Sequence, residues 1–324
     1  MVETIRRYAS VTKPWVVLGN LLSVAGGFFL AAKGRVDVRL LLCAMAGTGL
    51  VIASGCVFNN WIDRDIDRKM IRTRERVLAK GRMSPRAAVV FAVALGLAGL
   101  ALLWTTVNGL CVVIVAAGLA IYVVAYSFLF KRRSVHGALI GSLAGAAPPL
   151  AGYCAAAGRF DLGAVILLAI FSLWQMPHAL AIAVSRLDDY TAAAIPMLPV
   201  QRGIPAARKQ IAVYILAFTA AALALNLGGY AGYRYLAAAM ASGLVWLGIA
   251  WWGYRNTDHN RWAKRLFIFS IVNITILCAM MAVDVTIPST IPGSPPAQWA
   301  EGTIVSAGGP YLQLERHHSS APSP

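Results

Sequence analysis

Charged residues are scarce in this chain of 324 residues. Asp, Glu, Lys and Arg together make up 13% of it, against about a quarter in a soluble domain. Hydrophobic residues make up 59% of the chain, and the mean hydropathy is +0.66. These values exclude an ordinary soluble protein and predict a membrane protein.

Cysteine is also sparse. The five cysteines are scattered through apolar segments, without a Cys-x-x-Cys pair or a histidine at metal-binding spacing. That pattern argues against a cysteine metal site. We interpret these side chains as small buried hydrophobic residues.

Acidic residues are outnumbered, with 13 Asp and Glu against 29 Lys and Arg, a net charge of +16. The basic residues are divided among short loops between apolar segments and form no single stripe. This distribution argues against a nucleic-acid partner. Membrane topology explains it better.

Long apolar windows recur along the chain, each long enough to cross a bilayer. They lie at about 15–32, 38–58, 87–106, 109–130, 136–156, 162–184, 211–229, 235–253 and 265–284. The sequence therefore predicts an all-α, multi-pass membrane protein with nine transmembrane helices.

The distribution of Lys and Arg predicts the orientation. Arg6, Arg7 and Lys13 precede the first window, which has no signal-peptide cleavage site after it. Most remaining Lys and Arg fall in the loops that a cytoplasmic N-terminus places inside. The predicted parts are a cytoplasmic segment 1–14, a membrane domain 15–285 and a disordered periplasmic tail 286–324, in a cell inner membrane.

The most informative motif follows the second window. Asn59, Asp63 and Asp67 stand at four-residue steps, so on a helix they share one face. Carboxylates that converge without cationic partners repel one another, which favours a hard divalent cation among them. Magnesium is the natural candidate.

Basic residues surround this motif, among them Arg64, Arg68 and Lys69. Acidic and basic residues together suit the binding of a metal-bound polyanion such as a diphosphate. The aspartates hold the cation, and Lys or Arg neutralises the remaining phosphate charge. The alternative is a basic cytoplasmic loop with solvated salt bridges. Such a loop needs Lys and Arg but not three acids at this spacing.

A second acidic loop follows the sixth window, with Asp188, Asp189 and Tyr190 after the segment Trp174-Gln175-Met176-Pro177-His178. Both acidic loops lie on the predicted inside, where they could clamp a diphosphate between them.

Earlier in the chain, Pro148-Pro149 predicts a broken, closely packed fifth span.

These residues carry a family resemblance. The motif at 59–67 resembles the first aspartate-rich motif of the UbiA-type intramembrane prenyltransferases. Ser134 to Pro149 and Trp174 to His178 narrow the resemblance to the haem-modifying branch, and the similarity spans about residues 8–285. The resemblance implies nine helices around a cavity open to lipid. It also implies farnesyl diphosphate and haem B as substrates, Mg²⁺ as cofactor, and haem O and diphosphate as products.

The resemblance also implies roles for residues. Asn59, Asp63 and Asp67, with Asp189 from the second loop, would hold the metal, and Arg68, Lys69 and Lys131 would stabilise the departing diphosphate. Here Asp188 and Asp189 are adjacent, whereas the wider family spaces this pair by four, which leaves open which one faces the metal. Haem A synthase or a terminal oxidase would receive the product.

His178 is costly inside an apolar span and is a candidate haem contact or iron ligand. It could instead hydrogen-bond a carbonyl freed by Pro177, or transfer a proton. Trp174 and Gln175 would line the porphyrin pocket or simply pack in the core. The rival functions are prenyl transfer to a quinone or other aromatic acceptor, transport, and a purely structural subunit.

Overall fold

The computed structural model describes residues 2–255 and 257–284, and within that part of the chain every regular element is a helix. The predicted tail at 286–324 lies outside the described residues. Three helices are short: α1 (Val2–Val11), α4 (Arg64–Asp67) and α9 (Leu187–Ala192). The long ones are α2 (Pro14–Ala32), α3 (Val38–Ile62), α5 (Pro85–Thr106), α6 (Gly109–Ala120, continued by a π-helix, Ile121–Phe130), α7 (Gly137–Ala157), α8 (Leu162–Ser185), α10 (Leu198–Leu227), α11 (Tyr233–Trp252) and α12 (His259–Val283).

Nine of the described helical segments are long and apolar enough to cross a membrane, which confirms the predicted all-α fold with nine spans. The largest difference is in α10, which begins at Leu198 and not near 211. Its first part contains Arg202, and a non-helical Gly203 (φ 76°, ψ 168°) divides it from the apolar part. Hydropathy finds only the apolar stretch, whereas the helix extends beyond it.

The outer surface of the bundle is apolar. On α5, Trp104 is 70% exposed, and Val90 and Leu97 are almost as accessible. In water such a surface would drive aggregation, whereas lipid chains solvate it without cost. The exposed apolar side chains are therefore the lipid-facing side of a membrane protein.

Helix α7 lies at the centre, in contact with α2, α3, α6 and α8, and residues 146–155 are all buried. The predicted break at Pro148-Pro149 is wrong, because both prolines lie inside one continuous helix. Transmembrane helices tolerate proline where neighbouring helices pack closely around it.

The close approach of α2 and α7 depends on glycine. A Cβ added to Gly27 would lie 2.0 Å from the carbonyl oxygen of Pro149, and one added to Gly152 would lie 1.9 Å from that of Val24. Because both obstacles are backbone atoms, neither can move without shifting a helix. Small residues at such a crossing let two transmembrane backbones touch.

We therefore expect Gly152→Ala to reduce the free energy of unfolding by about 1–3 kcal/mol, through overpacking of the α2–α7 contact. Denaturant or thermal unfolding of the purified protein in detergent measures this change. Gly248→Ala is the matched control, because nothing lies within 4 Å of a Cβ added there. Equal stability of the two variants would contradict the packing argument.

Candidate functional site

The acidic motif lies where α3 ends and α4 begins. The amide of Asp63 donates to the carbonyl of Asn59 at 2.9 Å, and the amide of Asp67 donates to that of Asp63 at 2.8 Å. The helical hydrogen-bonding pattern thus continues across the junction, and the three side chains share one face. All three are buried, and Asp63 is 0% exposed.

Two lysines from distant parts of the chain reach this face. Lys13 Nζ donates to Asn59 Oδ1 at 2.7 Å, and Lys131 forms an ion pair with Asp63 Oδ2. Asn59 Nδ2 completes the network by donating to the same Asp63 oxygen at 2.8 Å. Desolvation lowers the pKa of Lys13 to about 8, since a partly buried ammonium is less well solvated than one in water.

Arginines neutralise the other two carboxylates. Arg76 Nη1 lies 3.0 and 2.8 Å from the two oxygens of Asp67. Arg132 binds both oxygens of Asp65 at 2.7 Å, and this hydrogen bonding lowers the pKa of Asp65 to about 2. The sequence interpretation that the carboxylates converge without cationic partners is therefore wrong. Spacing along one helix does not reveal partners 9 to 68 residues away.

One carboxylate oxygen remains unsatisfied. Asp63 Oδ1 is buried and has no hydrogen-bond partner among the described residues; Arg132 Nη2 lies 3.9 Å from it. A buried, charged acceptor without a hydrogen bond is costly, so this oxygen is available to a ligand.

A π-helix shapes the neighbouring wall. At the end of Ile121–Phe130 the amide of Lys131 donates to the carbonyl of Tyr126 at 2.8 Å, five residues back. This wider turn accompanies the approach of Ser127 Oγ to 3.2 Å from Asn59 Nδ2 and of Lys131 to Asp63. Such π-segments often occur at functional sites. Sequence periodicity does not reveal a π-helix, so the sequence does not predict that Ser127 contacts the acidic motif.

The second acidic loop meets the first at the same end of the bundle. Asp189 is buried and its Oδ1 accepts the amide of Ile71 at 2.7 Å, whereas Asp188 is exposed. Tyr190 packs against an apolar cluster that joins the two loops, made of Ile66, Met70, Ala193 and Ile195. Of the two adjacent aspartates, Asp189 is therefore the one that faces the first loop.

Asp189 does not join Asp63 and Asp67 in one group. Within residues 2–255 and 257–284, no three Asp, Glu, His or Cys side chains gather closely enough to hold a metal ion. The bond to Ile71 fixes Asp189 and the bond to Arg76 fixes Asp67.

Three predicted phosphate-binding residues lie apart from the carboxylates. Arg64 donates to the carbonyl of Trp61 at 2.7 Å and lies over its ring. Arg68 Nε donates to the carbonyl of Ala79 at 2.7 Å, and both Arg68 and Lys69 are exposed. Lys13 and Arg76 occupy the inner positions instead, although no pattern in the sequence ranks them above Arg64, Arg68 and Lys69.

A second polar group lies within the spans, between α8 and α12. His178 Nδ1 lies 2.7 Å from Ser270 Oγ, and Trp174 Nε1 donates to the Ser270 carbonyl at 2.9 Å. The Trp174 and His178 rings stack with centroids 4.8 Å apart. Gln175 packs on α7, where a Cβ on Gly145 would lie 1.9 Å from its Oε1.

Among the described residues, nine apolar helices with buried carboxylates and paired cations at one end define a polytopic membrane protein. Residues 20–272 match the UbiA prenyltransferase family, and the chain belongs to that family. It is a prenyltransferase.

Curated relatives are similar over most of the chain. A protein of Cronobacter sakazakii named protoheme IX farnesyltransferase is 56% identical over 286 residues, which is 88% of this chain and 97% of the relative. A protein of the same name from Klebsiella pneumoniae is 56% identical over 285 residues, again 88% and 97%.

Solved structures share the fold at low sequence identity. A structure described as digeranylgeranylglyceryl phosphate synthase in membranes has a TM-score of 0.72 at 17% identity and covers 87% of this chain and 99% of its own. A UbiA homolog from Archaeoglobus fulgidus, described as bound to GPP and Mg²⁺, has a TM-score of 0.65 at 17% identity, with 85% and 99% covered.

Proposed function

We propose that this protein transfers the farnesyl group of farnesyl diphosphate to a vinyl group of haem B, giving haem O and diphosphate. The observation that carries the donor half is the buried Asn59–Asp63–Asp67 face with Lys13, Lys131 and Arg76 around it. The acceptor half is supported by relatives at 55–56% identity that are named protoheme IX farnesyltransferase.

The residues present fit a magnesium ion. Asp63 Oδ1 is a buried, unpartnered, hard oxygen donor, and Asn59 and Asp67 place two more oxygen-bearing side chains on the same face. Mg²⁺ commonly takes one or two carboxylates and completes its shell with water and phosphate. Asn59, Asp63 and Asp67 would hold it; Asp189, which accepts the amide of Ile71, lies outside this group. When bound, Mg²⁺ supplies positive charge that neutralises diphosphate oxygens.

The cations of the site then have a second task. Lys131 and Arg76 here pair with Asp63 and Asp67, and Lys13 hydrogen-bonds Asn59; all three cations can bind the diphosphate oxygens instead. As the C1–O bond of the farnesyl group breaks, its electron pair goes to the diphosphate, and these cations stabilise the added charge. Arg64, Arg68 and Lys69 contribute a wider positive field from the loop surface.

On the acceptor side, a vinyl carbon of haem B forms the new bond to farnesyl C1. The cation left on the porphyrin side chain takes up water, which loses a proton and leaves a hydroxyethylfarnesyl group. The products are haem O and diphosphate, and no redox change occurs. An apolar chamber suits the porphyrin and the farnesyl chain, while the propionates and the diphosphate lie toward the polar end.

His178 is suited to contact the haem as a neutral ligand. Ser270 Oγ lies 2.6 Å from the Phe267 carbonyl and 2.7 Å from His178 Nδ1. A hydroxyl has one proton, and because the carbonyl can only accept, that proton goes to Phe267. Nδ1 of His178 is then the donor to Ser270, and Nε2 keeps a free lone pair. This supports the iron-ligand role over a bond to a carbonyl freed by Pro177.

The site lies at the end of the bundle that carries the basic loops, which the positive-inside rule assigns to the cytoplasm. We therefore place the enzyme in the bacterial inner membrane, with its N-terminus and its diphosphate site inside.

The test is to incubate the detergent-purified protein with haem B, farnesyl diphosphate and Mg²⁺, with an EDTA control, and to follow the porphyrin by mass spectrometry. We expect a mass increase of one farnesyl group plus one water, in the presence of metal only. Unchanged haem together with prenylation of a quinone precursor would keep the donor site and overturn the haem assignment.

Removing a carboxylate of the buried face should abolish transfer. We expect Asp63→Ala or Asp67→Ala to lower turnover by roughly a hundredfold or more, with membrane insertion retained because the spans are unaltered. Asp65→Ala is the matched control, since Asp65 is exposed and pairs with Arg132 outside that face. Turnover in the same assay measures the effect. Full activity in both buried-face variants would rule out the metal role.

His178→Ala should weaken haem B binding by at least about tenfold and leave farnesyl diphosphate binding nearly unchanged. Ser270→Ala should weaken haem binding by about tenfold as well, because the group that fixes the imidazole tautomer is lost. Soret titration and calorimetry with farnesyl diphosphate separate the two effects, with His259→Ala as a control. An unaltered Soret spectrum and haem affinity in His178→Ala would remove the ligand role.

A further inference from the structure

A basic pocket of about 520 Å³ lies beside the acidic face, between α1, the end of α3 and the loop that follows α4. It is lined by five cations, Arg6, Arg7, Lys13, Arg76 and Arg82, and by two acids, Glu3 and Glu75. A water molecule takes about 30 Å³, so the pocket has room for a small hydrated anion. We call it the α1 pocket.

The charge of the α1 pocket is not balanced from within. Glu3 is paired with Arg7, and Glu75 with Lys80, which does not line the pocket. Arg76 is neutralised by Asp67. Arg6, Lys13 and Arg82 form no ion pair with a carboxylate anywhere in the described ranges 2–255 and 257–284. A net positive charge therefore faces the pocket.

Hydrogen-bonding capacity is also unmet there. Arg7 Nε is buried and has no hydrogen-bond partner among the described residues. Asn60, 3% exposed, donates from Nδ2 to the Val11 carbonyl at 2.8 Å, but its Oδ1 is without a partner in the same part of the chain. Buried polar atoms in native proteins are generally paired with protein, water or ligand. Several donors and one acceptor suit a phosphate anion that carries a proton.

The α1 pocket is continuous with the candidate site through two shared cations. Lys13 lines the pocket while its Nζ donates to Asn59 at 2.7 Å. Arg76 lines it while binding both oxygens of Asp67. Arg6 and Arg82, by contrast, are exposed. Positive charge thus extends without a gap from the acidic face, through Lys13 and Arg76, to Arg6 and Arg82.

We propose that the α1 pocket is a second anion site that receives inorganic diphosphate after it leaves the acidic face. This inference rests on the proposed function, which supplies diphosphate as the leaving group. No bond is made or broken in the pocket; the anion only exchanges cationic partners. Product would then leave by the α1 pocket, away from the apolar interior proposed to receive the porphyrin and the farnesyl chain.

The test uses a double variant at the outer part of the pocket, Arg6→Gln with Arg82→Gln. Neither residue belongs to the acidic face. The matched control is Lys209→Gln with Lys264→Gln, which removes the same charge from exposed positions at the basic end of the bundle. Full-length protein in detergent is titrated calorimetrically with inorganic diphosphate in EDTA, so that metal-dependent binding at the acidic face does not contribute.

We expect the pocket variant to bind inorganic diphosphate about tenfold more weakly than the unsubstituted protein, because two phosphate contacts are lost. The control should stay within about twofold, and the KM for farnesyl diphosphate with Mg²⁺ should stay within about twofold in both. The constant for product inhibition by diphosphate should rise in the pocket variant only. Equal diphosphate affinity in the pocket variant and the control overturns the proposal.

A lipid headgroup offers the same phosphate chemistry, so the titration is repeated in nanodiscs of phosphatidylcholine and of phosphatidylglycerol. Equal diphosphate affinity in the two lipids supports the proposal. Displacement of diphosphate by phosphatidylglycerol would assign the pocket to lipid and overturn it. Binding of inorganic diphosphate through Arg6 and Arg82 by a protein that binds no farnesyl diphosphate would instead overturn the proposed function.

Discussion

The full burial of the Asp63 carboxylate at the C-terminal end of α3 is the constraint on which the site depends. A charged carboxylate in that position is tolerated only with cations and hydrogen bonds around it. Lys131, at the end of the π-helix, forms an ion pair with one oxygen of Asp63, and the side-chain amide of Asn59 donates a hydrogen bond to the same oxygen. The other oxygen has no hydrogen-bond partner among the described residues. The same arrangement that makes the fold tolerate the charge thus leaves one oxygen open to a ligand.

The basic residues at this end of the bundle serve more than one purpose. In the positive-inside pattern they set orientation. In the structure Lys131 and Arg76 neutralise the buried carboxylates of Asp63 and Asp67, while Arg132 pairs with the exposed Asp65. In the proposed function a diphosphate would compete for the same cations. The aspartates would then need another positive charge, which a divalent metal would supply. Metal and diphosphate binding would be coupled for this electrostatic reason.

The donor and acceptor halves of the proposed site are built differently. The donor half uses charges contributed by loops and helix ends. The acceptor half, Trp174, His178 and Ser270, lies within the spans and uses uncharged hydrogen bonds and ring stacking. A neutral imidazole and an indole are compatible with a lipid-accessible interior, whereas aspartate and arginine are costly there. The polarity of each substrate matches the half that would receive it.

The amino-acid sequence alone predicts the nine spans found in the described residues, since length and hydropathy are local properties. It also determined the shared face of Asn59, Asp63 and Asp67, because helical periodicity is local too. The continuity of α7 through Pro148 and Pro149 depends on packing with neighbouring helices, and the π-helix on contacts that periodicity does not encode. The packing of distant segments makes Lys13, Arg76 and Lys131 the inner cations and leaves Arg68 and Lys69 exposed. The same packing directs Asp189, but not Asp188, toward the first loop. Those pairings join residues up to 118 positions apart, and spacing along one segment carries no information about them.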